Sequence, residues 1–318
     1  MELYDSRTTR DAISGIVATS PLVRSAGLSD HAGTDVWLKL ENLQVTGSFK
    51  VRGASARMLA LTEEERGRGV VTCSSGNHGR AVAYVAERLG IPATICLPEW
   101  VDRVKLDAMR KHGAETVLHG STYDEAEIRS FEIEKDEGLT YVHAFDDPHV
   151  ISGQGTIALE LLEQLPSVRT VVVPLSGGGL LAGITLALKK HDPSIEVIGV
   201  SAERARVMHE SILAGRPMEF PEEETVASAL SGGIGLENSY TFNLVRDLVD
   251  HRLLVDETAV LEAMVYAARD EKIVVEGGGA VGIAALLTGQ VKSLEGDVAV
   301  VVSGGNVDPA LLAKVLSG

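Results

Sequence analysis

Thr170-Val171-Val172-Val173-Pro174-Leu175-Ser176-Gly177-Gly178-Gly179-Leu180 is the stretch whose reading decides the fold. Its first five residues form an apolar, mostly β-branched run of the kind buried on both faces of a parallel sheet. A helical pattern follows through about Lys190, so the glycines make a strand-to-helix turn. The same grammar recurs outward from it. Val36 to Leu40, Gly69 to Cys73, Ala93 to Pro98, Thr116 to Leu118, Glu196 to Val200 and Val298 to Val302 read as strands. Helical patterns run from Ala81 to Leu89 (stopped by Gly90), from Val101 to His112, from Thr258 to Glu271 and from Gly277 to Leu287, and Ser121 is placed to cap another. Strands alternating with helices predict an α/β chain with mainly parallel sheets. Ligands in such folds bind beyond the carboxyl ends of the strands. Three Gly/Ser loops stand there: 74–79, 176–180 and 303–305.

Composition narrows the function classes. The 318 residues predict roughly two domains at about 150 residues each, and a chain of this length buries a sizeable core without staples. A net charge of −16, with no Lys/Arg run, argues against nucleic acid and against an anionic membrane surface as partners. No stretch reaches the roughly 18 apolar residues of a spanning helix, and MELYDSRTTR lacks the apolar core of a signal peptide. Cys73 and Cys96 make neither a disulfide framework nor a zinc site. A cytoplasmic protein is the expectation.

Two features carry chemistry. Consecutive glycines at 177–179 let backbone N–H groups converge on an anion at a helix N-terminus, and a phosphate fits that description. A tight turn with no ligand would look the same. The loop matches neither a Walker A sequence nor G-x-G-x-x-G, which removes the usual signature of a nicotinamide-dependent oxidoreductase. The second feature is Lys50, between Phe49 and Val51 and close to Arg52. Partial burial and a cationic neighbour lower a lysine pKa, and Schiff-base chemistry needs the neutral amine. The alternatives are a solvated surface lysine and an anion-binding protein without activity.

Thr46-Gly47-Ser48-Phe49-Lys50-Val51-Arg52-Gly53-Ala54 resembles the cofactor-lysine motif of fold-type II pyridoxal-phosphate enzymes, and more narrowly of the threonine/serine dehydratase and serine racemase group. Ser-Ser-Gly-Asn-His (74–78), His149 to Thr156, Ser-Gly-Gly-Gly-Leu (176–180) and Ser303 to Asp308 follow in that group's order, so the resemblance spans nearly the whole chain. Gly76 to Ala81 and Ser231 to Asn238 are most similar to the dehydratases of hydroxyectoine breakdown.

The resemblance implies a tryptophan-synthase-β-like fold of two open, twisted, mainly parallel sheets flanked by helices. It implies a large cofactor-binding domain over 1–60 and 147–318, a small mobile domain over 61–146, and a homodimer. By the same resemblance, Lys50 holds pyridoxal phosphate and then serves as general base, with Phe49 beside the ring. Gly177, Gly178, Gly179 and Leu180 bind the phosphate. Asn77 bonds the ring's 3-hydroxyl oxygen, Ser303 faces the pyridine nitrogen, and Glu276 and Gly233 lie at the cofactor. Ser74, Ser75, Gly76, Asn77 and His78 grip the carboxylate of an amino-acid substrate.

The implied reaction is β-elimination from a β-hydroxy amino acid to a 2-oxo acid and ammonia. The alternative is amino-acid racemisation, with Ser75 delivering a proton to the face opposite Lys50. Family members often bind Mg²⁺ or Ca²⁺; Glu203 matches the first acidic ligand, while His209 replaces the second and suits a hard cation poorly. Arg80 and Arg206 are candidates for a second substrate carboxylate by proximity to motifs. The larger biosynthetic enzymes of the group carry a C-terminal regulatory domain; the sequence closes at Gly318, soon after the Asn306-Val307-Asp308 motif, and feedback through such a domain is not the expectation.

Overall fold

The computed structural model describes residues 4–292 and 296–317. Ten strands are present among them: β1 (Leu22–Ser25), β2 (Val36–Leu40), β3 (Val70–Cys73), β4 (Ala93–Leu97), β5 (Glu115–Leu118), β6 (Thr140–Tyr141), β7 (Val168–Pro174), β8 (Glu196–Ala202), β9 (His251–Val255) and β10 (Asp297–Val302). They form two sheets. One has the order β1-β2-β10-β7-β8-β9, the other β5-β4-β3-β6. Every pairing is parallel except β1 with β2. The four strands of the smaller sheet all lie between residues 70 and 141.

The central strands explain themselves. β7 and β10 are apolar runs buried from Thr170 to Pro174 and from Val298 to Val302, because helices cover both faces of the six-stranded sheet. Helices Glu257–Arg269 and Gly277–Leu287 close one core, and Pro148–Gln164 with Gly179–His191 closes the other. Gly277–Leu287 is apolar all round and buried throughout except at its last residue, as a helix without a polar face must be. Gly155 and Gly183 let the two helices of the second core touch. A Cβ on Gly183 would lie 2.2 Å from the carbonyl oxygen of Ile151.

Several sequence expectations are corrected here. The cap of helix Tyr123–Glu137 is Thr122, whose hydroxyl accepts from the Glu125 N–H, and Ser121 instead donates to the Glu125 carboxylate. The helix expected from Val101 begins at Arg103, where Asp102 accepts the Val104 N–H. Strands β1, β6 and β9 carry no apolar run longer than three residues. They are short edge strands whose pairing, not whose pattern, makes them strands.

Candidate active site

Lys50 opens helix Lys50–Leu59, and the turn before it is stitched to the loop after β10. The Phe49 N–H donates to the Ser303 carbonyl at 3.1 Å, the Gly305 N–H donates to the Gly47 carbonyl at 2.9 Å, and Ser48 bridges Gly304. Two motifs 250 residues apart in sequence thus form one structure. The Lys50 side chain keeps an accessible side, yet its Nζ is enclosed and donates to the Ala144 carbonyl at 2.8 Å. Desolvation lowers its pKa to about 8, against the pull of the Glu276 charge. Its Nζ also lies 5.3 Å from the centre of the Phe49 ring.

Arg52 plays no part in that shift, contrary to the sequence expectation. Residues two apart on a helix point to different sides, and Arg52 is buried between Glu41 and Glu160. Burial alone explains the lowered lysine.

Glu276 is the residue before helix Gly277–Leu287 and is buried. Burial raises its pKa to about 7, with the Asn77 amide and the Arg80 charge working the other way. Asn77 Nδ2 donates to Glu276 Oε1 at 2.6 Å. Asn77 Oδ1 accepts from Asn306 Nδ2 at 2.6 Å. Ser303 is buried, and its hydroxyl finds only the Gly278 carbonyl at 3.5 Å, the outer limit of a hydrogen bond.

The 176–180 loop has the build of an anion cradle. Gly178 stands at φ 90° before helix Gly179–His191, and no side chain caps that helix. Its first N–H groups therefore have no helical partner and add their dipole to the site. Phe145 fills the space a side chain would need: a Cβ on Gly177 would meet its ring at 2.4 Å, and one on Gly179 its backbone at 2.9 Å. Leu180 is buried beneath the loop.

The 74–78 loop divides. Ser75 is partly exposed, and among the described residues its hydroxyl has no hydrogen-bond partner. Ser74 Oγ accepts from the Gly76 N–H at 3.3 Å. His78 is turned inward: its Nε2 meets the Val142 carbonyl at 2.9 Å, and burial drives its pKa down to about 3. Its imidazole is therefore neutral and committed to the protein, and cannot grip a carboxylate as a cation. Gly233 lies in an exposed stretch, and a Cβ there would meet nothing nearer than the Gly235 nitrogen at 3.9 Å.

Three candidates are not brought into this cluster. Glu203 is exposed, and among the described residues no three His, Cys, Asp or Glu gather to hold a metal. His209 stands with its Nδ1 buried and unpartnered. Arg206 stacks over Phe220 and pairs with Glu210. Sequence reasoning also missed two structural groups. The Ala144 carbonyl that holds Lys50 comes from a segment with no motif. The ionic network of Lys39, Glu41, Arg52 and Glu160 left no signal beyond scattered charges in apolar surroundings.

The family described as pyridoxal-phosphate dependent enzyme matches residues 13–304. The chain belongs to that family. The L-threonine ammonia-lyase of Thermotoga maritima is 40% identical over 316 residues, covering 99% of this chain and 78% of that protein. Maize serine racemase superimposes with a TM-score of 0.92 at 36% identity, over 98% of this chain and 95% of that one. A threonine deaminase isoform of Solanum lycopersicum also gives 0.92, at 34% identity over 99% and 93%.

The residues present fit pyridoxal phosphate. A lysine amine with lowered pKa, an uncapped helix start walled by Phe145, and a buried Ser303 hydroxyl with one long contact supply an amine, a phosphate site and an under-used polar partner.

Proposed function

We propose that this pyridoxal-phosphate enzyme is an ammonia-lyase that dehydrates a β-hydroxy amino acid, threonine or serine in type, to a 2-oxo acid and ammonia. The observation that carries this is the Lys50 amine, held at the Ala144 carbonyl and with a pKa of about 8. At neutral pH such an amine is partly unprotonated, which a general base requires. The relatives named above support the reaction class. The hydroxyectoine-derived hydroxy amino acid is the narrower substrate proposal, resting on the 76–81 and 231–238 segments.

When bound, pyridoxal phosphate supplies the electron sink for the pair left at Cα. Lys50 holds the cofactor, with Phe49 beside it, and afterwards takes the Cα proton. Gly177, Gly178, Gly179 and Leu180 offer N–H groups to the phosphate. Ser303 offers a neutral hydroxyl to the ring nitrogen, which stabilises negative charge less than a carboxylate partner and so favours prompt loss of the β-hydroxyl. Asn77 serves the ring hydroxyl, with Glu276 behind it and Gly233 at the rim. Ser74, Ser75, Gly76 and the N–H groups of Asn77 and His78 hold the substrate carboxylate. Lys50 passes its proton to the departing hydroxyl. The hydroxyl leaves as water, the Lys50 amine displaces the product as a free enamine, and that enamine becomes an imine that a second water hydrolyses to the 2-oxo acid and ammonia.

Residues 61–146 form the small mobile domain that closes on the large domain of 1–60 and 147–318. The four-stranded sheet confined to 70–141 supports that division. The enzyme works as a cytoplasmic homodimer; the exposed Leu43, Val45 and Val274 support a covered face. For Mg²⁺ or Ca²⁺ the one acidic ligand offered is Glu203.

Racemisation is the second reading, favoured by the unengaged Ser75 hydroxyl. Ammonia release from L-serine, L-threonine, D-serine, 3-hydroxyaspartate and a hydroxyectoine-derived hydroxy amino acid tests the assignment. Release from one of them is expected; a cofactor-loaded enzyme that inverts serine without releasing ammonia would overturn the lyase. Ser75→Ala is expected to change elimination by no more than about threefold while removing most racemisation, since a group that only positions substrate contributes less than a proton donor worth about 10²-fold or more. Equal loss of both activities would assign Ser75 to carboxylate binding.

A further inference from the structure

Arg80 lies on the first turn of helix Asn77–Leu89 and is partly buried. Among the described residues it has no carboxylate within salt-bridge distance, and burial lowers its pKa. Among the described residues its side chain makes one hydrogen bond, from Nη1 to Asn306 Oδ1 at 2.6 Å. From there an unbroken series follows: Asn306 Nδ2 to Asn77 Oδ1 at 2.6 Å, then Asn77 Nδ2 to Glu276 Oε1 at 2.6 Å.

The direction of this series is set from its Arg80 end. A guanidinium only donates, so Asn306 meets it with Oδ1 and turns its NH₂ to Asn77. Asn77 receives that NH₂ on its own Oδ1, which leaves its NH₂ for Glu276. Asn306 Nδ2 also donates to the Thr46 carbonyl at 2.9 Å, which enforces the same sense. A donor at position 80 therefore turns the Asn77 NH₂ toward Glu276, and an NH₂ facing the carboxyl favours its ionised form.

We infer that Arg80 is a positioning residue for the reaction: through the amides of Asn306 and Asn77 it fixes the donor face of Asn77 and so favours the ionised form of Glu276, near Lys50. Position 80 lies outside the 46–54, 74–78, 176–180 and 303–308 segments that carry the cofactor chemistry. Its role rests on the hydrogen-bond series and on its lack of any other ionic partner.

The other groups facing Glu276 are few. Lys105, on helix Arg103–Arg110, acts on it at a distance, and the Asn306 N–H donates to it. Lys50 faces it from helix Lys50–Leu59. Lys105 is exposed and makes no contact in the series. Arg80 is thus the charge that is both near and directionally wired.

The test follows the carboxyl group itself. The protonated carboxyl band of full-length protein, isotope-labelled at glutamate, is followed by infrared spectroscopy against pH, with and without cofactor. Glu276→Gln assigns the band. Arg80→Met is expected to raise the conversion midpoint by about one pH unit, the size of a lost nearby opposite charge. Arg80→Lys keeps a donor-only cation and should restore the midpoint to within about 0.3 unit, and Arg80→Glu should raise it further than Met by presenting an acceptor to Asn306. In the cofactor-loaded protein, the visible absorbance should shift with pH in step with the carboxyl. A folded Arg80→Met protein whose midpoint stays at the wild-type value would overturn the inference. Should that variant not fold, Asn306→Ala breaks the same series one link on and must raise the midpoint too. The readout is a carboxyl titration, so the inference fails or stands separately from the lyase assignment.

Discussion

Lys50 and Arg52 stand two residues apart on one helix, and their surroundings are opposite. Arg52 is fully buried and donates to both oxygens of Glu41 and both of Glu160, at 2.6 to 2.9 Å. Lys39 joins the same group, donating to Glu160 at 2.6 Å, to Gln164 at 2.8 Å and to the Ser20 carbonyl at 2.8 Å. Two cations face two anions, and the hydrogen-bonding capacity is largely used. Lys50 has a single carbonyl, and Glu276 has an amide where Glu41 has a guanidinium. Burial is common to both regions; pairing separates them. The paired Arg52 is held charged and becomes scaffold, although burial lowers the pKa of Lys39 beside it against the pull of Glu160; the underpaired Lys50 and Glu276 have theirs moved toward neutrality and become available for proton transfer.

Removing the underpaired amine should cost the most. Lys50→Ala is expected to lower kcat/KM by about 10⁴-fold, the upper range for a general base, and to abolish borohydride trapping of the cofactor on the chain. In cofactor-free protein at neutral pH its urea midpoint should not fall below wild type, because burial disfavours the charged amine that is removed. A variant that retains elimination would remove Lys50 from the mechanism.

Breaking the paired region should do the reverse. Arg52→Met leaves Glu41 and Glu160 buried without their main partner, which costs about 3 to 5 kcal/mol. Urea unfolding reads this directly. A loss below about 1 kcal/mol, the size of an exposed ion pair, would mean that the network is not the scaffold described.

The third contrast is with pH. Glu276 titrates at about 7 in the folded chain against an ordinary 4.5. The folded chain therefore keeps a proton that the unfolded chain releases between pH 4.5 and 7. Stability from this group is greatest below pH 4.5 and falls as pH rises to 7, by at most about 3 kcal/mol. Lys50, lowered from 10.5 to about 8, gives the opposite slope, with stability rising from pH 8 to 10.5. In cofactor-free protein, Glu276→Gln should flatten the acidic fall in urea midpoint and leave the alkaline rise. An unchanged acidic slope would place the effect elsewhere.

Much of this was legible along the chain. The apolar runs of β7 and β10, the glycine turns and the order of the Lys50, 74–78, 176–180 and 303–305 segments are local patterns, and local patterns survive in a linear text. The edge strands β1, β6 and β9 were not, because their hydrogen bonds, not their side chains, define them. The Arg52 expectation failed because sequence adjacency says nothing about which side of a helix a residue faces. His78 was read as a substrate contact, and only the position of the Val142 carbonyl shows that its ring is already engaged.

The sequence by itself determined the alternation of strands and helices, the family of the chain and the lysine and glycines that suit its cofactor, because those depend on residue type and short spacing. Tertiary structure decided which charges are paired. Glu160 meets Arg52 across 108 residues and Glu276 meets Asn77 across 199. Whether a buried charge becomes scaffold or reagent depends on the partner that the fold brings to it, and no local pattern records that partner.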